Sequence, residues 1–231
     1  MLERYRANVG DDPAVVLPEL EPALTTGNVL AMSYVPGAPI ETLEAAPQEV
    51  RDRAMATLIG IVLRELFDWG LMQTDPNFAN YRWQAETGKL VLLDFGAARP
   101  VRPETARGYH RLLMAGIDGD ADGAREAGVA IGFIGAAAVA RHRALIDRMI
   151  GVILAELGRD GPFDFADRAF LNVVREQGIE MAQDRATWHL PPAETLFVQR
   201  KVSGTALLAA RLRARVDVKA MVEGWRGADL A

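Results

Sequence analysis

Three polar residues in the first half of the chain have types and spacings suited to holding a metal-bound phosphate. Asp75 and Asn80 stand five positions apart in the segment T-D-P-N-F-A-N, and Asp94 opens the tripeptide D-F-G. Hard cations such as Mg²⁺ bind carboxylate and amide oxygens, and such an ion can neutralise the charge of a triphosphate. These residue types are therefore suited to binding a metal ion together with a phosphate.

A predicted β-hairpin separates these two segments. Residues 81–83 and 89–93 are strand-like, and the polar residues 84–88, which end in a glycine, form a turn between them. The two strands of a hairpin lie side by side. Asn80, just before the first strand, is therefore predicted to lie next to Asp94, just after the second.

A long helix is predicted before the first segment. From Pro47 to Trp69 apolar residues recur every three or four positions, which is typical of a buried helix, and Gly70 then suits its end. The same reasoning predicts five further helices, separated by Gly, Asp and Pro, at residues 104–117, 121–129, 136–157, 165–177 and 193–214.

The first forty residues are predicted to be extended. Residues 15–17 and 29–35 are apolar and rich in β-branched side chains, and prolines and a turn at residues 25–28 separate them. Two strands alone are not stable in water, so we expect them to pack on the helical part or to belong to a larger sheet. The predicted fold class is α+β, mainly α.

Composition excludes several kinds of site and partner. The chain has 231 residues, half of them hydrophobic, enough for one large domain or two small ones. Its net charge of −5 argues against broad binding of nucleic acid, which needs a basic face. The absence of cysteine excludes disulfides, thiolate metal sites and a cysteine nucleophile, and the three histidines lack metal-binding spacing.

The sequence also predicts a cytoplasmic location, with peripheral binding to the inner membrane as an extension of it. The N-terminus lacks the apolar stretch of a signal peptide, and the weakly polar run at residues 128–140 is shorter than the ~20 residues that span a bilayer. Four cations near the end of the last helix could contact anionic lipid, although they also suit the helix dipole: Arg211, Arg213, Arg215 and Lys219.

The order of the two motifs matches the arrangement found in protein kinases. There, D-x-x-x-x-N supplies a catalytic aspartate and a metal-binding asparagine, and D-F-G supplies a second metal ligand. Either motif alone is common, and Asp75, Pro76 and Asn77 also favour an ordinary turn. The two in this order, with a buried helix before them and a hairpin between them, favour a phosphotransfer site.

The residues around both motifs resemble the UbiB family of atypical, kinase-like ATPases. Residues 73–81 (Q-T-D-P-N-F-A-N-Y) and 92–99 (L-L-D-F-G-A-A-R) look like the catalytic and metal loops of that family, and Q-T-D-P-N resembles the branch that supports coenzyme Q (ubiquinone) biosynthesis. Residues 29–37 resemble its strand leading into the interlobe hinge, and residues 191–204 its C-terminal helix. The resemblance spans nearly the whole chain.

This resemblance implies a domain organisation and catalytic roles. Residues 1–36 would be remnant N-lobe strands and the hinge, and residues 37–231 a protein-kinase-like C-terminal lobe. Asp75 would orient or deprotonate the attacking hydroxyl or water. Asn80 and Asp94 would hold Mg²⁺ against the phosphates of ATP.

The resemblance also implies cofactor contacts outside the metal site. Phe95 and Gly96 would set the conformation of the metal loop, and the segment from Met32 to Val35 would contact adenine through its backbone. Tyr34 is the aromatic residue there, and the role of an ordinary strand residue is an equal alternative. Arg200 and Lys201 are candidates for phosphate contacts, but their distance from the loops in sequence favours a structural role.

Two departures from the usual pattern qualify these roles. Gln73 and Thr74 replace the His-Arg of ordinary kinases, in agreement with the UbiB-like branch. Relative to the family, the chain starts after the phosphate-covering loop, the ATP-binding lysine and its glutamate partner, and its first 30 residues contain no lysine. We therefore expect an incomplete nucleotide clamp and weak ATP binding, as in a C-terminal piece of a longer product or a degenerate member.

Three functions follow from this reasoning. The first is a UbiB-like kinase or ATPase that uses Mg-ATP in support of ubiquinone biosynthesis, with quinone-biosynthesis proteins or membrane lipid as partners. The second is a non-catalytic, pseudokinase-like scaffold. The third is a small-molecule phosphotransferase of the aminoglycoside or choline kinase type, although the histidine usual in that loop is absent at Gln73 and Thr74.

Overall fold

A long central helix, α2 (Gln48–Phe67), runs through the middle of the molecule. The computed structural model describes residues 1–167, 169–228 and 230. The helix buries Met55, Leu58 and Ile61 almost completely, as their spacing of three residues predicts. Gly70 follows it with a φ of 54°, a left-handed conformation that glycine adopts at little cost.

Four short strands form a sheet on this helix, in the order β1 (Val15–Val16), β5 (Lys89–Leu92), β4 (Tyr81–Gln84) and β2 (Ala38–Pro39). Strands β4 and β5 are the predicted hairpin, and Gly88 in its turn has a φ of 65°. β2 is antiparallel to β4, whereas β1 is parallel to β5.

A second ladder joins the chain segments on either side of the hairpin. Strand β3 (Leu71–Gln73), directly after Gly70, pairs antiparallel with β6 (Ala98–Pro100), so that Gln73 faces Ala98. The chain that leaves β3 and the chain that enters β6 are therefore held at a fixed separation.

The rest of the described chain is mainly helical, as predicted. Its helices are α3 (Pro103–Ile117), α4 (Ala121–Ala130), α5 (Ala136–Leu157), α6 (Ala169–Ala182), α7 (Ala193–Arg211) and α8 (Val218–Glu223), with a β7 (Phe163–Asp164) to β8 (Arg215–Val216) ladder between them. Short 3₁₀ turns lie at Ile40–Ala45, Phe78–Asn80 and Arg185–Thr187.

Two of the predicted helices have wrong boundaries. The helix predicted at residues 165–177 lies at Ala169–Ala182, because the chain first turns at residues 165–166 after β7. The last long helix, predicted to reach residue 214, ends at residue 211, and Arg213 follows with a φ of 50°. That left-handed residue turns the chain into β8, which pairs with β7.

The prediction that the first forty residues are extended is wrong at the N-terminus. Residues 2–9 form helix α1 (Leu2–Val9), with Leu2, Tyr5 and Val9 buried. This spacing of three and four residues is a helical signal that a reading based on β-branched content missed. These three side chains belong to the same core as Leu58 of α2.

The strand predicted at residues 29–35 is not formed either. The segment contains one isolated antiparallel bridge, between Leu20 and Met32, and Val29 and Leu30 are more than half exposed. β-branched residues form a strand only when a neighbouring strand packs beside them. The domain division at residue 36 stays a prediction.

Candidate active site

The loop that carries Asp75 is held by its own polar side chains. Asn77 accepts a hydrogen bond from the Ala79 N–H at 3.1 Å and so caps the 3₁₀ turn that ends at Asn80. The amide nitrogen of Asn80 donates to the backbone oxygen and to Oδ2 of Asp75, each at 3.3 Å. Asp75 and Asn80 therefore face each other across the loop.

The hairpin brings Asp94 to the same place. The Leu93 N–H donates to the Asn80 carbonyl at 3.0 Å, where β4 begins and β5 has just ended. Oδ1 of Asp94 accepts the Gly96 N–H at 2.7 Å, which fixes the turn of the D-F-G segment. The predicted proximity of Asn80 and Asp94 is confirmed, and both line a cavity of about 10 Å³.

A third connection fixes the spacing between the two loops. Both the backbone N–H and the hydroxyl of Thr74 donate to the Ala97 carbonyl, at 3.3 and 2.8 Å. These bonds continue the β3–β6 ladder past Gln73. Asp75 and Asp94 thus stand on loops that are joined at two separate points.

Phe95 is buried under the N-terminal helix. Its ring lies 4.7 Å from that of Tyr5, measured between centroids, and is 6% exposed. Since Tyr5 is also held by a hydrogen bond to Glu65 of α2, α1 acts as a cover for the metal loop. The proposed role of Phe95 in setting the conformation of that loop stays a prediction.

Helix α7 contacts the catalytic loop, although no pattern in the sequence predicts this contact. Nη2 of Arg200 lies 3.0 Å from Oδ1 of Asp75. One helical turn further on, Gly204 packs against the ring of Pro76: a Cβ at residue 204 would lie 2.2 Å from the Cβ of Pro76. Only a glycine allows this approach without displacement of the loop.

A buried polar network lies beneath the loop. Nζ of Lys201 donates to Oε1 of Gln73 and to the Tyr81 hydroxyl, both at 3.0 Å, and lies 3.6 Å from Oε2 of Glu65. Glu65 Oε1 in turn accepts the Tyr5 hydroxyl at 2.8 Å and the Gln73 N–H at 3.2 Å. The side chains of the Lys201–Glu65 pair are 2% and 1% exposed.

The pKa values of this network follow from burial and mutual charge. Burial alone would lower the pKa of Lys201, but the nearby Glu65 and Tyr81 raise it above its ordinary value, so the side chain stays an ammonium group. Burial raises the pKa of Glu65, and Lys201 opposes that rise. Burial also raises the pKa values of Tyr5 and Tyr81, so both hydroxyls keep their protons.

The oxygens near Asn80 and Asp94 fit a magnesium ion shared with a phosphate ligand. The Asn80 amide nitrogen is turned toward Asp75, which leaves its oxygen for a cation, and Asp94 is exposed at the loop surface. Within the part of the chain that the structure describes, no three His, Cys, Asp or Glu side chains come together as a metal site. Mg²⁺ commonly takes one or two protein ligands and completes its shell with water and substrate phosphates.

The residues predicted to contact adenine do not line the cavity at Asn80 and Asp94. Tyr34 is 86% exposed, and Met32 lies in the bridge to Leu20. Their contact with adenine stays a prediction. Of the four cations that could contact lipid, three pair with carboxylates: Arg211 with Glu44, Arg215 with Asp164 and Lys219 with Asp160.

Sequence reasoning missed Glu65 and the contacts that Arg200 and Lys201 make with the catalytic loop. Glu65 was not singled out because it lies among the buried apolar residues of α2. A glutamate at such a position nevertheless indicates a polar partner, since a buried carboxylate needs one. The structural role predicted for Lys201 agrees with its burial. Arg200, for which a structural role was also predicted, forms an ion pair with Asp75.

The described chain has the parts of a protein-kinase-like fold: a buried helix, a loop with Asp75 and Asn80, a hairpin, a D-F-G loop and a helical bundle. The solved structure of Rv3197 from Mycobacterium tuberculosis, in complex with erythromycin, has this fold: its TM-score is 0.68 at 22% identity, over 96% of this chain and 55% of that one. The family model of the ABC1 atypical kinase-like domain matches residues 1–128. The chain belongs to this family, which confirms the predicted membership of the UbiB group.

Curated relatives agree with this assignment. The mitochondrial atypical kinase COQ8 of Saccharomyces cerevisiae is 34% identical over 93% of this chain and 43% of its own length. Mitochondrial COQ8B of Rattus norvegicus is 32% identical, over 93% of this chain and 40% of its own. The chain thus spans less than half the length of these relatives. Among the described helices, none combines the length and apolarity needed to cross a bilayer.

Proposed function

We propose that this chain forms the catalytic lobe of an atypical kinase-like ATPase that uses Mg-ATP and supports ubiquinone biosynthesis. The observation that carries the proposal is the convergence of Asp75, Asn80 and Asp94 on two loops joined by the hairpin and the β3–β6 ladder. Membership of the ABC1 family and similarity to COQ8 kinases support the choice of nucleotide and pathway.

Each residue has a defined task in this proposal. ATP would supply the transferable phosphoryl group, and a bound Mg²⁺ would neutralise the charge of its phosphates. Asn80 and Asp94 would hold the ion through their side-chain oxygens. Asp75 accepts a hydrogen bond from the attacking water or hydroxyl, orients it, and receives its proton. The chain therefore contributes mainly positioning and electrostatic stabilisation, which dominate phosphoryl transfer.

A non-catalytic scaffold is the second candidate. Both oxygens of Asp75 already have partners, Arg200 on Oδ1 and Asn80 on Oδ2. A carboxylate engaged in this way is less available as a base. Peripheral binding to a lipid surface has weaker support, because three of the four cations that could contact lipid, Arg211, Arg215 and Lys219, are paired with carboxylates.

Calorimetric titration of the chain with ATP, in Mg²⁺ and then in EDTA, separates the two candidates. We expect weak binding that Mg²⁺ strengthens by about tenfold or more, since Asn80 and Asp94 would then hold the phosphates through the ion. Asp94→Asn should remove this dependence and abolish ATP turnover. The control is Asp68→Asn, which neutralises an exposed carboxylate at the end of α2.

Two results would contradict the proposal. Turnover that persists in Asp94→Asn would overturn the metal assignment. A chain that folds but binds no nucleotide with or without Mg²⁺ would favour the scaffold.

A further inference from the structure

Lys201 forms hydrogen bonds at both ends of the catalytic loop. Its ammonium donates to the side chain of Gln73, where the loop leaves β3, and to the Tyr81 hydroxyl, where the loop enters β4. We propose that Lys201 is a positioning residue for Asp75, and that it acts through Gln73. This inference rests on the proposed function and adds to it a residue that acts on Asp75 through another side chain.

The connection to Asp75 runs through the amide of Gln73. Nε2 of Gln73 donates to the Asp75 carbonyl at 2.7 Å, while Oε1 accepts from Lys201 at 3.0 Å. An ammonium group can only donate, so it fixes which end of the amide faces it. Lys201 thereby directs the Gln73 NH₂ group toward the backbone of Asp75.

The same carbonyl receives a second hydrogen bond. Asn80 donates to it at 3.3 Å from the other end of the loop. The backbone of Asp75 is therefore fixed between Gln73 and Asn80, and its carboxylate is left to interact with Arg200 and Asn80. Without the hydrogen bond from Gln73, the Asp75 carbonyl would keep the longer, 3.3 Å hydrogen bond from Asn80.

Stability alone is a poor explanation for this network. Burial of an ion pair costs desolvation energy that its attraction often fails to exceed. Oε2 of Glu65 is buried and makes no hydrogen bond within the described part of the chain, and its contact with Lys201 is 3.6 Å. The contact between Lys201 and Glu65 is therefore imperfect as an ion pair, whereas Lys201 forms hydrogen bonds at both ends of the loop. A role in positioning the loop explains this pattern better than a role in stability.

Glu65 anchors the other side of Lys201. It belongs to α2, the central helix, and its Oε1 also accepts the Gln73 N–H and the Tyr5 hydroxyl. Lys201 is thus held between a rigid helix and the loop. Small displacements of α7 would reach Asp75 through this side chain.

Two variants separate positioning from stability. Lys201→Met leaves Glu65 as an uncompensated buried carboxylate and should lower Tm. Glu65→Gln/Lys201→Met removes both charges and keeps an acceptor for Tyr5, so it should recover at least half of that loss. In both variants Gln73 loses its donor. Amide hydrogen exchange over residues 74–80 should therefore be about tenfold faster or more in both, and ATP turnover should stay about tenfold to a hundredfold lower.

Gln73→Leu tests the same connection while leaving the ion pair in place, and it carries the test if Lys201→Met does not fold. It should accelerate exchange over residues 74–80 to a similar extent. Lys219→Met is the control, because it also removes a lysine paired with a carboxylate, Asp160, but from helix α8. It should leave exchange in the loop unchanged.

The inference is overturned if the double variant recovers both Tm and loop protection, or if Gln73→Leu leaves exchange in the loop unchanged. Hydrogen exchange requires no nucleotide. A chain without ATP turnover would therefore contradict the proposed function, while the loop protection would still decide the role of Lys201.

Discussion

Arg200 forms an ion pair with Asp75, with Nη2 3.0 Å from Oδ1, across 125 positions of sequence. The second oxygen of Asp75 faces the amide of Asn80 at 3.3 Å. The side chain of Arg200 is 59% exposed and that of Asp75 30%. A partly solvated pair of this kind adds little to stability. Its main consequence is that the carboxylate is held in one orientation.

Arg200→Met should therefore affect catalysis more than folding. Without the guanidinium the carboxylate can rotate, so we expect kcat for ATP hydrolysis to fall about tenfold to a hundredfold, with Tm and the KM for ATP changed little. Steady-state kinetics and thermal unfolding check this. The control is Arg107→Met, which removes an exposed arginine from α3. An increase in kcat would show instead that Arg200 restrains the enzyme.

The close approach of Gly204 to Pro76 gives a second prediction. A methyl group at residue 204 would overlap the proline ring, so Gly204→Ala must displace the catalytic loop or α7. We expect a loss of about 1–3 kcal/mol in the free energy of unfolding, measured in urea, together with weaker Mg-ATP binding.

Gly151→Ala is the matched control for this substitution. Gly151 lies in the helix α5, and a Cβ there would meet nothing within 4 Å. Alanine should stabilise that helix by about 0.5–1 kcal/mol. Equal effects of the two substitutions would mean that α7 and the loop are not in close contact.

The parts of the site that sequence predicted are those set by local spacing. The strands β4 and β5 follow from residues 81–93 alone, and the hairpin geometry then places Asn80 beside Asp94. The central helix follows likewise from apolar periodicity. Neither inference needs knowledge of the distant chain.

The parts that could not be predicted depend on packing between distant elements. Arg200 and Lys201 are adjacent in sequence. Arg200 is largely exposed and pairs with Asp75, whereas Lys201 is buried beside Glu65. Which face of α7 meets the loop is decided by the approach of Gly204 to Pro76, and no local pattern encodes that contact. The strand predicted at residues 29–35 is wrong for a related reason, since a strand depends on its neighbour.

Tyr5 gives a prediction about the cover over the metal loop. Its hydroxyl donates to Oε1 of Glu65 at 2.8 Å in a fully buried position. Tyr5→Phe keeps the ring contact with Phe95 but leaves the carboxylate oxygen with one donor fewer, so unfolding free energy should fall by about 1–3 kcal/mol. Chemical denaturation measures this.

Tyr34→Phe is the corresponding control. Its hydroxyl is removed from a side chain that is 86% exposed, so the free energy of unfolding should change by less than about 0.5 kcal/mol. If Tyr5→Phe were equally neutral, the N-terminal helix would not contribute a hydrogen bond to the buried network.

Asp184 gives the protein a pH-dependent contact at the kink of α5. Its Oδ2 accepts from Nε of Arg141 at 2.6 Å and faces Nε2 of His142 at 3.0 Å, where the helix has non-helical dihedral angles, and its Oδ1 accepts the Ala186 N–H. The bonds from Arg141 and His142 lower the pKa of Asp184 from 3.8 to about 2. The folded state therefore binds this proton less readily than the unfolded state does.

The sign of the effect follows from that difference. Stabilisation by ionised Asp184 is fully present above its unfolded pKa and is lost as pH falls from about 4 toward 2. Asp184→Asn should therefore lower Tm at pH 6, and the difference from the unaltered chain should shrink through this window. Asp11→Asn, at an exposed residue, controls for loss of a surface charge. A Tm difference for Asp184→Asn that is constant between pH 6 and pH 2 would show that the contact with Arg141 and His142 does not depend on the carboxylate charge.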